Sequence, residues 1–225
     1  MEKPIIISLG GSVIVPGSVD TVFLRKFRDF IIKESKKRRV VIVCGGGWTA
    51  RIYGSAAKEI IKVNGFDLDL IGIRATKLNA ELVRVLFGSL AHKDVIENPT
   101  KKIKTNKKII VASGWVPGFS SDMDAVLLAK NVGADKVINL SNISYVFDKN
   151  PKKFKDAVKI TKISWAGFQK IVGTKWVAGS SFPFDPEASK KASLFKLKVV
   201  VAKGTDLNNL KNIFEGKKFI GTVIG

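Results

Sequence analysis

Three glycines stand directly behind an apolar, β-branched run in Val40-Val41-Ile42-Val43-Cys44-Gly45-Gly46-Gly47, and Arg51 follows one turn into a helix-compatible segment. Amides without side chains let an anion approach closely, a helix N-terminus favours negative charge, and a guanidinium grips phosphate bidentately. The stretch reads as a phosphate cradle, with a plain tight turn as the alternative. A second junction of the same kind, Leu9-Gly10-Gly11-Ser12, follows Pro4-Ile5-Ile6-Ile7-Ser8. Ser12 adds a hydroxyl there, and the glycine amides offer a second phosphate seat. A third loop, Gly114 to Asp122, contains two glycines, a proline and two aromatics, and ends in Ser120-Ser121-Asp122. By itself that ending is a helix cap.

The elements that must hold these turns follow from periodicity. Strands are expected at 4–8, 40–44, 109–113, 136–140 and 198–202, with a closing strand near 219–224; each is short, β-branched and apolar on both faces. Helical spacing covers 24–32, 49–63 (Ile52, Ala56, Ile60 and Val63 on one face), 67 to about 90, 123–132, 163–172, 186 to about 195, and 206–214. Asp185-Pro186 opens a helix with proline at its favoured first position. The segment 144–162 is turn-rich and basic, and Ala178-Gly179-Ser180-Ser181 is another small-residue loop. Strands alternating with helices indicate a mainly parallel sheet covered on both sides. Loops that follow parallel strands gather at one edge, where ligands bind. The glycine and serine junctions are therefore more informative together than singly.

A chain of 225 residues with 45% apolar content can bury a substantial core, and no run approaches the roughly 18 apolar residues of a membrane span. Met1-Glu2-Lys3-Pro4 lacks the apolar region of a secretory signal, so a cytoplasmic location is expected. One cysteine, Cys44, excludes an internal disulfide framework and a cysteine-based metal site. The net charge of +20 is spread along the chain, lysine outnumbers arginine, and no aromatic-basic RNA motif is present. The charge reads as a solvated surface that also attracts anionic substrates, and not as a nucleic-acid site.

Seven blocks now stand in a recognisable order: Gly10-Gly11-Ser12-Val13; Gly45-Gly46-Gly47 with Arg51; Asp69-x-x-Gly72-Ile73-x-Ala75-Thr76-x-Leu78-Asn79-Ala80; Pro117-Gly118-x-Ser120-Ser121-Asp122; Ser141-Asn142; Ala178 to Ser181; and Asp185-Pro186-x-Ala188-x-Lys190. In that order the chain resembles the amino-acid-kinase superfamily and, within it, the archaeal-type uridylate kinases. The resemblance implies a single three-layer αβα domain with a mainly parallel central sheet. Residues 1 to about 135 would form a UMP-binding and oligomerising half, and 136–225 an ATP-binding half. It implies phosphoryl transfer from ATP to UMP in pyrimidine nucleotide biosynthesis, by a homohexamer built as a trimer of dimers. UMP would be held by Gly46, Asp69 (through its ribose), Trp115, Val116, Pro117, Gly118, Phe119, Ser120 and Ser121. ATP would meet Gly11, Ser12, Gly47, Arg51, Ser141, Asn142, Phe147 and Asn150, with Mg²⁺ held mainly by its phosphates and no protein metal ligand. Lys190, Asp122 and Arg51 would be catalytic: Lys190 neutralises the transferring phosphoryl group, and Asp122 orients the cations around it.

The chemistry is consistent with those residue types. A loose, charge-dispersed transition state needs alignment and positive electrostatics, and an acceptor phosphate that is already ionised needs no general base. The only histidine, His92, lies outside every block. Several positions depart from the family pattern. Ser8 stands where many relatives carry lysine, Ser144 and Asn150 replace aspartates in the donor loop, and Ser120 and Ser121 replace threonines. Trp115 occupies a position where a small hydroxyl residue is common. Two alternatives stay open: a sibling kinase acting on another small phosphate such as isopentenyl phosphate, and a nucleotide-binding protein with reduced catalysis.

Overall fold

The computed structural model describes residues 2–173 and 182–225. The first half runs β1 (Ile5–Leu9), α1 (Gly11–Ile14), α2 (Thr21–Ser35), β2 (Val40–Cys44), α3 (Gly47–Ile60), α4 (Gly65–Phe87), β3 (Ile109–Ala112) and α5 (Ser121–Val132). The second half continues with β4 (Lys136–Ser141), β5 (Val146–Phe147), β6 (Lys159–Ile160), β7 (Lys162–Ile163), α6 (Trp165–Val172), α7 (Pro186–Leu194), β8 (Lys198–Lys203), α8 (Leu207–Glu215) and β9 (Thr222–Ile224).

Successive side chains on a strand point to opposite faces, and here both faces are apolar. Ile5, Ile7 and Leu9 of β1 join Phe27 and Ile31 of α2, Val83 and Phe87 of α4, and Leu210 and Phe214 of α8 in one core. Ile6 of the same strand joins Val126 and Leu128 of α5, Phe168 of α6 and Ala188 of α7 in the other. The result is three layers, helices–sheet–helices. The seven-stranded sheet has the order β3-β2-β1-β4-β8-β9-β7. Its first five strands are parallel, so their C-terminal ends share one edge.

The sheet is mainly parallel, as periodicity predicts, while several details differ from or add to that reading. β9 runs antiparallel to β8, which makes the far side of the sheet mixed. The basic segment contains an antiparallel pair, β5 with β6, too short for an alternation signal. The helix expected from Leu24 starts three residues earlier, because Asp20 accepts the Phe23 N–H at 2.9 Å. Helix α3 stops at Ile60, ahead of Val63, and Asn64 caps α4 by accepting the Asp67 N–H at 2.9 Å. The apolar face expected of α3 is turned outward, with Ile52, Ala56 and Ile60 exposed and Gly54 its only buried residue. No described helix is long and apolar enough to cross a membrane.

Candidate active site

The two glycine turns meet main chain to main chain at the common edge. Register pairs Leu9 with Cys44 on one side and with Leu140 on the other, so the turns after β1, β2 and β4 leave the sheet side by side. Gly45 N–H donates to Leu9 O at 2.9 Å and Gly10 N–H to Leu140 O at 2.8 Å. A Cβ on Gly11 would stand 2.0 Å from Gly47 N, and one on Gly47, whose φ is +62°, would stand 2.1 Å from Gly11 O. Only glycine fits either position. The close approach leaves two runs of amides at adjacent helix starts, α1 and α3, with Ser12 on the first. Helix α4 pins the second turn: the Asn79 side-chain amide donates to Gly45 O at 2.8 Å and to Gly46 O at 3.0 Å. Arg51, one turn into α3, lies with its guanidinium 5.6 Å from the Trp48 ring centroid, a cation–π contact.

The loop after β3 is tied at several points. Gly114 N–H donates to Thr76 Oγ1 at 2.8 Å, Trp115 N–H to Asp124 Oδ2 at 3.2 Å, and Gly118 N–H to Asp69 Oδ2 at 2.8 Å. Asp69 therefore lies beyond the first turn of α4, against Gly118, so it is more than a helix-start carboxylate. Trp115 and Phe119 pack edge to face with centroids 5.5 Å apart, and Ser120 caps α5 by accepting the Met123 N–H. Val116 accepts the Phe119 N–H, and Pro117 lies between them.

Asp122 is the junction of three elements. Ser8, buried at the end of β1, donates its hydroxyl to Asp122 Oδ1 at 2.8 Å, and the Asp185 N–H at the head of α7 donates to Oδ2 at 3.2 Å. Asp185 in turn caps α7 through the Glu187 and Ala188 N–H groups. Burial pushes the Asp122 carboxyl up to about 6; the Ser8 hydroxyl opposes that shift and the neighbouring Asp185 adds to it. Ser8 thus serves as a hydroxyl partner for Asp122. Lys190 is exposed on α7, its ammonium 3.4 Å from Glu187. Lys190 and Phe119 line one cavity of about 370 Å³ between α5 and α7.

After β4, Ser141 adjoins the first glycine turn, its Cα 3.5 Å from where a Gly10 Cβ would be, and Asn142 is exposed. Phe147 and Asn150 stand further out on the β5–β6 hairpin, which is attached to β9 by the Val146 N–H donating to Thr222 Oγ1. Among the described residues no hydrogen bond joins them to the glycine turns. The loop Ala178 to Ser181 lies outside the described residues. His92 N–H donates to Ile109 O at the start of β3, the opposite end of the sheet from the glycine turns. Burial holds the Cys44 thiol far above its usual range, so it is an inert core residue. Sequence reasoning assigned no role to Asn79, Thr76, Asp124 or Asp185. The available signal was polar side chains inside an otherwise apolar helix face: Thr76 and Asn79 of α4 are both buried.

Parallel strands that deliver two glycine cradles to one edge, beside a cation-bearing helix, define a class of phosphate-handling α/β protein. The amino acid kinase family matches residues 3–203, and the chain belongs to it. Among relatives, a uridylate kinase of Thermoplasma volcanium is 36% identical over 229 aligned residues, covering 100% of this chain and 98% of the relative. A uridylate kinase of Methanococcus maripaludis is 36% identical, with 98% of each chain covered. Among solved structures, the uridylate kinase of Archaeoglobus fulgidus superimposes with a TM-score of 0.84 at 32% identity, over 98% of this chain and 99% of that one.

Proposed function

We propose that the chain is a UMP kinase, a nucleoside monophosphate kinase that moves the γ-phosphoryl group of ATP to UMP and releases UDP and ADP. The observation that carries this reading is the main-chain contact between Gly11 and Gly47, which brings two phosphate seats together at one sheet edge. Full-length similarity to proteins named uridylate kinase supports the choice of acceptor.

In this reading the Gly46 amide region holds the UMP phosphate, Asp69 takes the ribose, and Trp115 to Ser121 surround the uracil. Gly11, Ser12, Gly47 and Arg51 meet the ATP phosphates, while Ser141, Asn142, Phe147 and Asn150 line its base and ribose. Aligning acceptor oxygen and γ-phosphorus costs no covalent intermediate, and the barrier falls through stabilisation of charge on the transferring group. Arg51 and Lys190 supply that charge. Lys190 leaves Glu187, an exposed partner worth little, when a phosphoryl group competes for it. Asp122, fixed by Ser8 and the Asp185 amide, steadies the cations from the side. Among the described residues no group of three or more His, Cys, Asp or Glu side chains is arranged to grip a metal. In this reading Mg²⁺ would be held mainly by the nucleotide phosphates, where it would neutralise charge.

Self-association belongs to the same reading. Ile52, Tyr53, Ile60 and Ile61 on and after α3, with Phe66 and Leu70 on α4, are exposed apolar residues on two helices that pack together. A second copy of this chain is the occupant we assign, as the first step toward a homohexamer built as a trimer of dimers. The reaction belongs to pyrimidine nucleotide biosynthesis in the cytoplasm.

A coupled ADP-release assay with UMP, CMP and isopentenyl phosphate tests the assignment. UMP is expected to be turned over with the highest kcat/KM. Preference for isopentenyl phosphate would overturn it in favour of a sibling kinase, and UMP binding without turnover would leave a nucleotide-binding protein.

A further inference from the structure

Beneath the acceptor loop lies a carboxyl group with no counter-charge. Asp124 is 0% exposed in the first turn of α5. Its Oδ2 accepts the Trp115 N–H at 3.2 Å, and its Oδ1, equally buried, has no hydrogen-bond partner. Trp115 is the pivot of the loop. Its neighbour Gly114 is tied to Thr76, Gly118 is tied to Asp69, and between them the Trp115 main chain is held by Asp124. The Trp115 ring packs edge-on against Phe119, so a shift of that main chain moves both aromatic rings of the loop.

We propose that Asp124 is a positioning residue for the acceptor nucleotide, one that holds the Trp115–Phe119 wall in its binding geometry through the Trp115 N–H. The proposal rests on the UMP kinase reading. Its charge state follows from its surroundings. Of the strands on which α5 packs, β1 and β2 contribute no charged side chain, and β4 contributes only Lys136, its first residue, at the end of the sheet opposite the glycine turns. On α7, Lys190 pairs with Glu187, and Lys191 lies over the Phe195 ring. At the head of α7, Asp185 is buried and its N–H is spent on Asp122. The charge that acts on Asp124 is the carboxylate of Asp122, two residues away. Burial pushes Asp124 up to about 8, the Trp115 N–H opposes this, and Asp122 adds to it. Near neutral pH Asp124 is therefore protonated and keeps the Trp115 contact without placing a second anion beside Asp122. Above pH 8 the proton goes to solvent; the carboxylate accepts the Trp115 N–H more strongly, but burial and repulsion from Asp122 outweigh that one contact, so the charged form favours geometries in which the Asp124 side chain leaves its buried place and the loop loses its tie.

The test is the pH dependence of the UMP KM and of kcat for the wild type, Asp124→Asn and Asp124→Val. In the wild type KM should rise about tenfold from pH 7 to pH 9, because apparent affinity scales with the competent fraction, while kcat changes less. Asp124→Asn keeps an acceptor for Trp115 and has no proton to lose, so its KM should stay flat over that range. Asp124→Val should raise KM at every pH. An Asn variant whose KM climbs in parallel with the wild type overturns the proposal. A second reading needs neither substrate nor variant: in ligand-free, ¹⁵N-labelled protein the Trp115 amide resonance should titrate near pH 8. A flat Trp115 amide overturns the role of Asp124 alone, whereas absence of UMP turnover at any pH overturns the UMP kinase reading on which it rests.

Discussion

Arg51 has no carboxylate partner among the described residues and is steadied by the Trp48 ring, an arrangement that keeps its charge available to an incoming phosphate. Arg51→Ala should leave the fold intact, since the residue is exposed, and lower kcat by roughly 10²-fold, as removal of one charge-stabilising donor does. A circular-dichroism melt and the coupled assay check the two halves of that statement; near-normal turnover would take Arg51 out of the site. Asp69 is subtler because one of its oxygens already accepts the Gly118 N–H. Asp69→Asn can keep that contact and lose only the charge offered to the ribose. It should raise the UMP KM by about tenfold, within the range of one charged hydrogen bond, and leave kcat nearly unchanged. An unmoved KM would refute the ribose role. Arg51 stood out in the sequence by its place one turn after the glycine triplet, whereas Asp69 read by itself as a helix-start carboxylate and took its ribose role only from the resemblance. Asp124 gave no such signal: a carboxylate in the first turn of a helix looks like a dipole partner, and only packing reveals that it is buried.

At the scale of elements, the strands were legible because a parallel sheet between two helix layers demands β-branched runs apolar on both faces, and β1 and β2 come close to that, with Ser8 their one hydroxyl and every residue buried. The glycine turns were legible for a related reason: nothing with a side chain leaves a buried strand through so close an approach. What escaped was decided by tertiary context. The two-residue strands β5 and β6 carry no period, and the outward turn of α3 reverses a face that periodicity alone assigns to a core. The mutual approach of Gly11 and Gly47 yields a sharp prediction. Gly47→Ala forces a left-handed backbone onto an L residue and drives a methyl into Gly11 O. It should cost at least ~2 kcal/mol, a fall in Tm of roughly 5 °C or more for a chain of this size, together with loss of turnover. Gly17→Ala is the control, since a Cβ there meets nothing within 4 Å. Equal melting temperatures for the two variants would mean that the turns are looser than the contact implies.

For the molecule as a whole, a net charge of +20 and an apolar face on α3 and α4 pull in opposite directions. Copies of a strongly basic chain repel one another at low ionic strength, so any self-association has to come from burying surface such as Ile60, 80% exposed, and Tyr53, 68% exposed. Salt separates the two terms. Screening shortens the reach of the repulsion to about 10 Å at 0.1 M and less above that, and leaves apolar burial intact. The assembly should therefore tighten as salt is added, opposite to the behaviour of a complex with a polyanion, which loses affinity. A charge-introducing variant makes the argument stricter. Tyr53→Glu with Ile60→Glu lowers the net positive charge and so weakens the repulsion between copies. If electrostatics governed assembly, that variant would associate more strongly than the wild type. If the α3–α4 face is the interface, two buried carboxylates should split the assembly into smaller species, read as a fall in mass by light scattering at fixed concentration. An unchanged mass in the double variant would remove this face from the assembly.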